Sequence, residues 1–428
     1  MRVMLLTDVF PYPPHQGSAV ISYHWIRGLA SNNAIWLLSL EPPCDEGALG
    51  ELRNVGVTVL NGVLPSKERS FSILGELSSV PMAFKRIDAR LLRRRVLGYL
   101  RATCIDVVVI VGPVLAALLV TREAWPCPVL MVPFDSVSFN LRARLHFLLK
   151  PGNWKIARAI GENPARLIHY CAEALKWERI ERDVYPRADG CVAVTPVDAA
   201  AIARQWSAEL RERIHIIPIG VDTRYYQPIQ TLVRERSLVF SGRIGSVESA
   251  ASALWFIERV FPKIRRFMPD VSLEIVGKDP PAIVRKRAAS ISGVHVTGFV
   301  PDIRPFLAAA AVYVSPILLG SGMKTRILEA LAMGKAVVAT AESCRGLNVE
   351  PGKAILIAED PDSFQHAIIA LLQNPGRRAA LGHAGREFVE AFHSWELITQ
   401  QVHTLLENLR QSFMSRLLPH QALGRTGW

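Results

Sequence analysis

Short runs of Val, Ile and Leu alternate with helical segments along this chain, and this alternation constrains the fold more than any other feature. In the first half, Arg2–Val9, Ala34–Leu40 and Ile105–Gly112 are predicted strands, and Ala19–Ser31 is a predicted helix. The strand runs lack a clean polar alternation, which is typical of parallel strands that are covered on both faces. Alternating β and α segments therefore predict a doubly wound α/β sheet.

The same pattern starts again after a polar, irregular stretch. LVFSGR, VSLEIVG, VHVTGFV, VYVSP, AVVAT and AILIA are the predicted strands of this second half. Two domains are also expected because 428 residues exceed one ordinary core. The prediction is an N-terminal Rossmann-like domain over residues 1–222, a linker over 223–236, a C-terminal Rossmann-like domain over 237–393, and a helix and tail over 394–428 that pack back toward the N-terminal domain. We expect the two domains to face each other across a cleft, with ligands at the carboxyl ends of the strands.

Charge and composition narrow the partners and the compartment. The net charge of +12 suits nucleic acid, anionic lipid or phosphorylated substrates, and charge alone does not choose among them. The six cysteines form no C-x-x-C pair, which argues against a zinc site and a disulfide framework. The longest apolar run, Val107 to Val120, is broken by Gly112-Pro113 and is shorter than the roughly 20 residues of a membrane span. The N-terminus does not resemble a signal peptide, so the predicted location is the cytoplasm.

A glycine-rich loop, GSGMK, precedes a predicted helix from about Met323 to Met333. The first turn of a helix has unpaired N–H groups and a partial positive charge, so it binds anions. Gly320 and Gly322 would let an anion approach the backbone, and Lys324 adds a full charge. Glu329 lies roughly 10 Å further along the helix axis, about the distance from a diphosphate to a ribose. The alternative is a plain β-loop-α unit in which Glu329 and Lys324 are surface charges, since the Walker pattern is absent.

Five runs of the second half, VFSGRIG, FIERVFPKIRRFMPDVSLEIVGK, GVHVTGFVPDIRPFLAAAAVYVSP, GSGMKTRILEALAMGKAVVAT and FVEAFHSWE, resemble the glycosyltransferase group 1 family (glycosyltransferase family 4), which has the GT-B fold. The resemblance implies transfer of a sugar from a nucleotide-sugar, a UDP- or GDP-sugar, to a glycan or lipid-linked acceptor. It also implies retention at the anomeric carbon, no metal and no other cofactor, and a role in surface polysaccharide or glycoconjugate assembly.

Residue by residue, the resemblance places Arg243 against the donor diphosphate, and Lys324 is the second cation expected to act in catalysis. Glu329 falls where the family binds the nucleotide ribose, and Gly298 with the two residues after it falls where the nucleobase lies. The donor-binding residues implied are Gly17, Gly242, Phe299, Val300, Gly320, Ser321, Gly322, Met323, Thr325 and Glu329.

The sequence departs from the family pattern at three positions. Ser321 stands where the first glutamate of the E-x7-E motif is usual, which affects the expected contact to the sugar hydroxyls. Glu248 stands where a lysine commonly follows the arginine, and this leaves Lys324 as the second cation. Gly112-Pro113 stand where a histidine often follows the N-terminal strand.

On the acceptor side, His15, His24 and Asp135 are the candidates. A helix histidine such as His24 can instead pack, and a loop aspartate such as Asp135 can instead cap a helix. The segment Lys85–Arg101 carries seven basic residues with interleaved leucines. It is expected either to contact an anionic membrane or to form the solvated face of an ordinary helix.

Two other functions remain open beside the transferase. The protein could bind a nucleotide-sugar or a partner without turnover, or it could be a sugar-nucleotide epimerase. A dinucleotide oxidoreductase is disfavoured because neither half shows G-x-G-x-x-G after its first strand. Nucleic-acid binding is disfavoured because the basic segment offers only one aromatic residue, Tyr99.

Overall fold

The structure, a computed structural model, describes residues 1–14, 17–60, 80–121, 125–151 and 153–422. The chain forms two α/β units. The first comprises Met1–Leu141, Cys171–Pro218 and Trp395–Trp428, and the second comprises Arg142–Tyr170 and Ile219–Ser394. Each unit is built on one parallel sheet with helices, so the predicted class of two Rossmann-like domains is confirmed.

The sheet of the first unit has the strand order β3-β2-β1-β4-β5-β6-β7, and every pairing is parallel. The composition of β4 fits its place at the centre of this order. β4 is a run of Val and Ile without any exposed side chain, which is typical of a central strand in a parallel sheet. The chain order reverses between β1 and β4, where such sheets bind ligands. The strands are β1 (Arg2–Thr7), β2 (Ala34–Ser39), β3 (Val57–Val59), β4 (Val107–Val111), β5 (Val129–Phe134), β6 (Gly190–Ala193) and β7 (Ile214–Ile216).

Helices that begin at capped positions flank this sheet. Asp45 and Asp88 accept hydrogen bonds from backbone N–H groups of the first turns that they precede. A 3-10 helix, Pro113–Leu119, follows β4 and buries its leucines. The α-helices up to β7 are α1 (Gly17–Leu29), α2 (Glu46–Asn54), α3 (Ala89–Thr103), α4 (Val137–Leu149), α5 (Trp154–Ala159), α6 (Pro164–Asp183), α7 (Pro196–Ile202) and α8 (Ala208–Arg211).

The sheet of the second unit has the order β10-β9-β8-β11-β12-β13 and is parallel throughout. Its order reverses between β8 and β11. The strands are β8 (Arg234–Ser241), β9 (Ser272–Val276), β10 (Val294–Gly298), β11 (Ala310–Ser315), β12 (Ala336–Ala339) and β13 (Leu356–Ile357). The helices that follow β8 are α9 (Val247–Trp255), which continues through a π turn into α10 (Phe261–Phe267), and α11 (Ala282–Ala289), α12 (Arg304–Ala309), α13 (Thr325–Ala332), α14 (Pro361–Gln373), α15 (Pro375–Phe392) and α16 (Trp395–Ala422).

The units differ from the predicted division in two respects. Residues 142–170 group with the second unit, although the sequence places them before the last strands of the first sheet. The strand β8 begins at Arg234, inside the predicted linker, because Arg234 pairs with Ala310 of β11. The helix α16 is part of the first unit, where Thr399 packs against the backbone of Gly28 on α1.

Candidate functional site

The loops that follow β8 and β11 leave the same edge of the second sheet side by side, because these strands are parallel neighbours. The first loop carries Gly242 and Arg243, and the second leads to α13. The second loop is also tied to α9, the helix that follows the first loop, since Leu318 N donates to Ser252 Oγ of α9 at 3.2 Å. The structure therefore brings the candidate cations Arg243 and Lys324 to neighbouring strand ends of one sheet, at the point where its order reverses.

The loop of residues 320–324 is shaped by two glycines and two cations. Gly320 has φ +139° and Gly322 has φ +65°, values that favour glycine. Lys324 Nζ donates to Ser321 O at 2.5 Å, and Arg345 Nη1 donates to Gly320 O at 3.0 Å. Because the C=O and N–H of a trans peptide point in opposite directions, the N–H groups of Ser321 and Gly322 face away from these two cations.

The helix α13 begins directly after this loop, with Lys324 as the residue before its first turn. Lys324 provides no side-chain cap. Its ammonium group instead contacts the loop carbonyls. Met323 is buried and Thr325 is half-buried. The first-turn N–H groups of an α-helix have no intrahelical acceptor and attract anions. This helix therefore opens on a glycine loop with two cationic side chains bound to its carbonyls.

Glu329 is buried, with 9% of its surface exposed, and forms an ion pair with Arg326 three residues earlier on α13. The charge of the Glu329 carboxylate raises the pKa of the Arg326 guanidinium above its ordinary value, and burial has a smaller, opposite effect. Glu329 is therefore not the surface charge that the alternative interpretation of the sequence predicted. Arg326 was not among the predicted site residues, although its spacing of three from Glu329 on a helix was a readable signal.

Two tyrosines lie near the Arg326–Glu329 pair. Tyr313 on β11 is fully buried, and its hydroxyl lies 3.2 Å from Ser241 Oγ at the end of β8. Burial raises the pKa of Tyr313 to about 12. Burial also raises the pKa of Tyr226, and the Glu329 charge adds to this shift. Tyr226 belongs to the predicted linker, so part of that segment lies close to the candidate site.

The loop after β8 is held by a close backbone approach. A Cβ added to Gly277, at the end of β9, would lie 1.7 Å from Gly242 O, so only glycine fits there. Gly277 N also donates to Gly298 O at 3.1 Å. The side chain of Arg243 is exposed. Phe299, after β10, has 65% of its surface exposed, and Val300 beside it is half-buried. The predicted donor-binding residues of the C-terminal half therefore follow the strands of one sheet edge.

Glu248, at the family's lysine position, lies in the first turn of α9 and is bound by Arg144. Arg144 Nη2 lies 2.5 Å from Glu248 Oε1, and both side chains are about four-fifths buried. Burial pushes the pKa of Glu248 upward, but the Arg144 charge and hydrogen bonds together bring it below the ordinary value. No local pattern in the sequence indicates this pair, because its members are 104 residues apart.

The acceptor-side candidates His24 and Asp135 and the donor-binding candidate Gly17 lie in the first unit. Gly17 begins α1, and a Cβ added there would meet no atom within 4 Å. The ring of His24 stacks on Trp395 of α16, with centroids 4.6 Å apart. Asp135 follows β5, and its backbone N–H donates to Pro133 O at 3.0 Å. His15 lies outside the described residues.

Asp8 and Gly112 meet where the first sheet reverses its order, and the sequence analysis did not single out Asp8. Asp8 follows β1, and its backbone N–H donates to Val111 O. A Cβ added to Gly112 would lie 2.4 Å from Asp8 Cγ, and Gly112 has φ +103°. Burial raises the pKa of Asp8 to about 6, with Glu41 adding a smaller contribution. The side chain of Asp8 thus takes the space that a side chain at Gly112 would need.

The basic segment forms α3, and its apolar face is already used. Leu92, Val96 and Leu100 are buried in the core of the first unit. Arg93 is also buried, donates to Leu118 O, and lies over the Trp125 ring. The remaining basic side chains of α3 are exposed, as is Leu91 at 44% of its surface, so a membrane contact of this helix would be mainly electrostatic.

The part of the chain that the structure describes lacks both a membrane-spanning helix and a metal-binding cluster. No helix there is long and apolar enough to cross a membrane. No group of three or more His, Cys, Asp or Glu side chains there could hold a metal ion.

Comparison with known proteins shows a family model that matches part of the chain. The model of the glycosyl transferases group 1 family matches residues 235–374. A GDP-mannose-dependent monoacylated alpha-(1-6)-phosphatidylinositol monomannoside mannosyltransferase of Corynebacterium glutamicum is 31% identical over 161 residues, 35% of this chain and 42% of that protein. A phosphatidyl-myo-inositol mannosyltransferase of Mycolicibacterium smegmatis is 27% identical over 54% of this chain and 61% of that protein. The chain thus spans about half the length of the curated relatives it matches.

Solved structures show the fold. Sucrose-phosphate synthase from Thermosynechococcus elongatus aligns with a TM-score of 0.67 at 17% identity, covering 96% of this chain and all of that one. Anabaena HepE, solved with UDP, aligns with a TM-score of 0.62 at 13% identity, covering 95% of this chain and all of that one. These likenesses and the two parallel sheets show the two-domain α/β GT-B fold.

Proposed function

Because the model of the glycosyl transferases group 1 family matches residues 235–374, we propose that this protein transfers a sugar from a nucleotide-sugar to a glycan or lipid-linked acceptor. The observation that carries the proposal is the loop of residues 320–324. It opens into α13 beside buried, paired Glu329, at the strand ends where Arg243 also lies. This arrangement suits a nucleoside diphosphate, with the diphosphate at the helix mouth and the ribose hydroxyls at Glu329.

The proposed chemistry is a displacement at the anomeric carbon with retention. The bond from the sugar to the diphosphate oxygen breaks while the bond to the acceptor oxygen forms on the same face, and the acceptor proton leaves with the diphosphate. The main task of the protein is to stabilise the negative charge that develops on the leaving diphosphate. Arg243, Lys324 and the N-terminus of α13 supply fixed positive charge for this step, so the proposal requires no metal and no further cofactor.

The donor is proposed to be a UDP- or GDP-sugar. One mannosyltransferase relative is named for GDP-mannose, and one structural neighbour was solved with UDP. The acceptor is proposed to be a glycan or a lipid-linked glycan of surface polysaccharide or glycoconjugate assembly, since two relatives are named as phosphatidylinositol or phosphatidylinositol monomannoside mannosyltransferases. For a lipid-linked acceptor, the exposed arginines of α3 offer an electrostatic contact with an anionic membrane.

Calorimetric titration with UDP, GDP and dTDP tests the donor site first. We expect one of the three to bind in the micromolar range, and binding of none would overturn the proposal. Consumption of the matching nucleotide-sugars then tests turnover, because a competent transferase releases some sugar to water. The anomeric configuration of the product tests retention, and activity in EDTA tests the absence of a metal requirement.

Binding without any donor consumption would instead favour the non-catalytic alternative. Ser321, which stands where the family has a glutamate, is the observation that supports it. Conversion of the nucleotide-sugar into an epimer would favour the sugar-nucleotide epimerase.

A further inference from the structure

A helical segment from the first half of the sequence forms part of the second unit. This segment, Arg142–Tyr170, groups with that unit, and its residues Ile156 and Ile160 pack against the hydrophobic core there. Ile156 and Ile160 lie in and just after α5. The contact of these two half-buried isoleucines with the core anchors the segment, because it removes apolar surface from water.

The segment reaches the candidate donor site through Arg144. Its guanidinium donates to Glu248 Oε1 from both Nε, at 3.2 Å, and Nη2, at 2.5 Å. The same guanidinium lies over the ring of Tyr170, 5.1 Å from the centroid. Tyr170 in turn donates its hydroxyl proton to Glu162 Oε1 at 3.1 Å. Arg144 is therefore held from two sides and directed at Glu248.

Glu248 borders the glycine loop. A Cβ placed on Gly320 would lie 3.7 Å from Glu248 Cγ and 3.0 Å from Lys324 Nζ. The carboxylate-bearing side chain and the ammonium group thus flank the same point of the loop. A bare carboxylate at this position would repel a diphosphate, and because it is mostly buried, solvent would screen the repulsion poorly.

We propose that Arg144 is a positioning residue of the donor site: it neutralises Glu248 and holds its carboxylate so that a nucleoside diphosphate can bind at the loop of residues 320–324. The proposal rests on the proposed function, since it takes the loop to be the diphosphate site. It makes segment 142–170 a part of the donor site. The lowered pKa of Glu248 agrees with it, because the carboxylate stays charged and needs its partner.

The test is calorimetric titration of UDP and GDP into the full-length protein and three variants. Arg144→Gln should weaken the binding of the preferred nucleotide about tenfold or more, because Glu248 is left uncompensated. Glu248→Gln alone should bind at least as tightly as the wild type, since a negative charge is removed. The double variant should recover most of the affinity that Arg144→Gln loses. Arg236→Gln, which removes an arginine paired with Asp270 elsewhere in the same unit, is the matched control and should bind like the wild type.

These outcomes separate the two proposals. Should the wild type bind neither nucleotide, the proposed function fails and this inference falls with it. Should the wild type bind while Arg144→Gln binds equally well, or the folded double variant stay as weak as Arg144→Gln, only the positioning role is overturned. If Arg144→Gln does not fold, Glu248→Gln still decides, because weaker binding by that variant contradicts the inference and equal or tighter binding supports it.

Discussion

Arg326 Nη1 lies 2.7 Å from Glu329 Oε2 and 2.9 Å from Oε1 on the helix that follows the glycine loop. The carboxylate that the proposed function assigns to the ribose is therefore already held in one orientation. A fixed carboxylate binds a diol at a lower entropic cost than a mobile one. The pair thus links the local structure of α13 to nucleotide binding.

Replacing the guanidinium tests this link. Arg326→Met should lower the free energy of unfolding by about 2 kcal/mol, because the buried Glu329 carboxylate loses its partner. Affinity for the preferred nucleotide should fall as well. Urea denaturation and calorimetric titration measure the two effects. Arg377→Met, at an exposed arginine of the same unit, is the control, and equal behaviour of the two variants would contradict the assignment.

Arg243 and Lys324, the two proposed catalytic cations, should matter for turnover more than for folding. Arg243→Ala and Lys324→Ala should each reduce sugar transfer about 100-fold or more, because each removes positive charge from the departing diphosphate. Thermal unfolding midpoints should change little, particularly for exposed Arg243. Initial rates with the preferred donor provide the measurement, with Arg377→Ala as the control. If both variants stay within a few-fold of the wild type, the catalytic assignment is wrong.

Asp8 should make stability depend on pH. Its pKa in the folded state, about 6, is above the ordinary value of 3.8, so the folded state holds the proton more tightly than the unfolded state. This contribution is complete below pH 4 and is lost as the pH rises through 6. The free energy of unfolding of Asp8→Asn should therefore rise by about 1 to 2 kcal/mol relative to that of the wild type as the pH goes from 5 to 8. Urea denaturation at both pH values checks this, and a pH-independent difference would contradict it.

Gly112 should not tolerate a side chain. Gly112→Ala should destabilise the protein by about 2 kcal/mol or more, because the residue has positive φ and its Cβ would collide with Asp8. The control is Gly98→Ala on α3, where a Cβ meets nothing within 4 Å. That variant should instead gain about 1 kcal/mol from helix propensity. If the stability of Gly112→Ala were no lower than that of Gly98→Ala, Asp8 would be able to move aside.

His24 can be tested for packing against a role in acceptor binding. His24→Phe keeps a ring that can stack on Trp395, so stability should be within about 0.5 kcal/mol of the wild type. His24→Ala should lose more, because it removes the stacked ring. Sugar transfer by the folded His24→Phe variant is the deciding measurement. Near-normal transfer would leave packing as the role of His24, and a loss of transfer at normal stability would support acceptor binding.

Much of the geometry of the candidate site could be predicted from the sequence, because its elements are contiguous. The strand that ends at Ser315, the glycine loop and the helix with Glu329 lie within about two dozen residues. Their spacing alone indicates which groups follow a strand and begin a helix. Tyr226 shows the limit of this reasoning, because a residue from an irregular segment gave no sign that it would be buried near Glu329.

The sequence by itself determined the fold class and the position of the glycine loop before α13, since both follow from periodicity and from glycines that come after a strand. Only the tertiary structure decided that Arg144 neutralises Glu248, that Asp8 fills the space beside Gly112, and that segment 142–170 joins the second unit. The physical reason is distance along the chain. Local patterns encode which face of an element is buried, whereas charge partners that meet across about a hundred residues are set by how the elements pack.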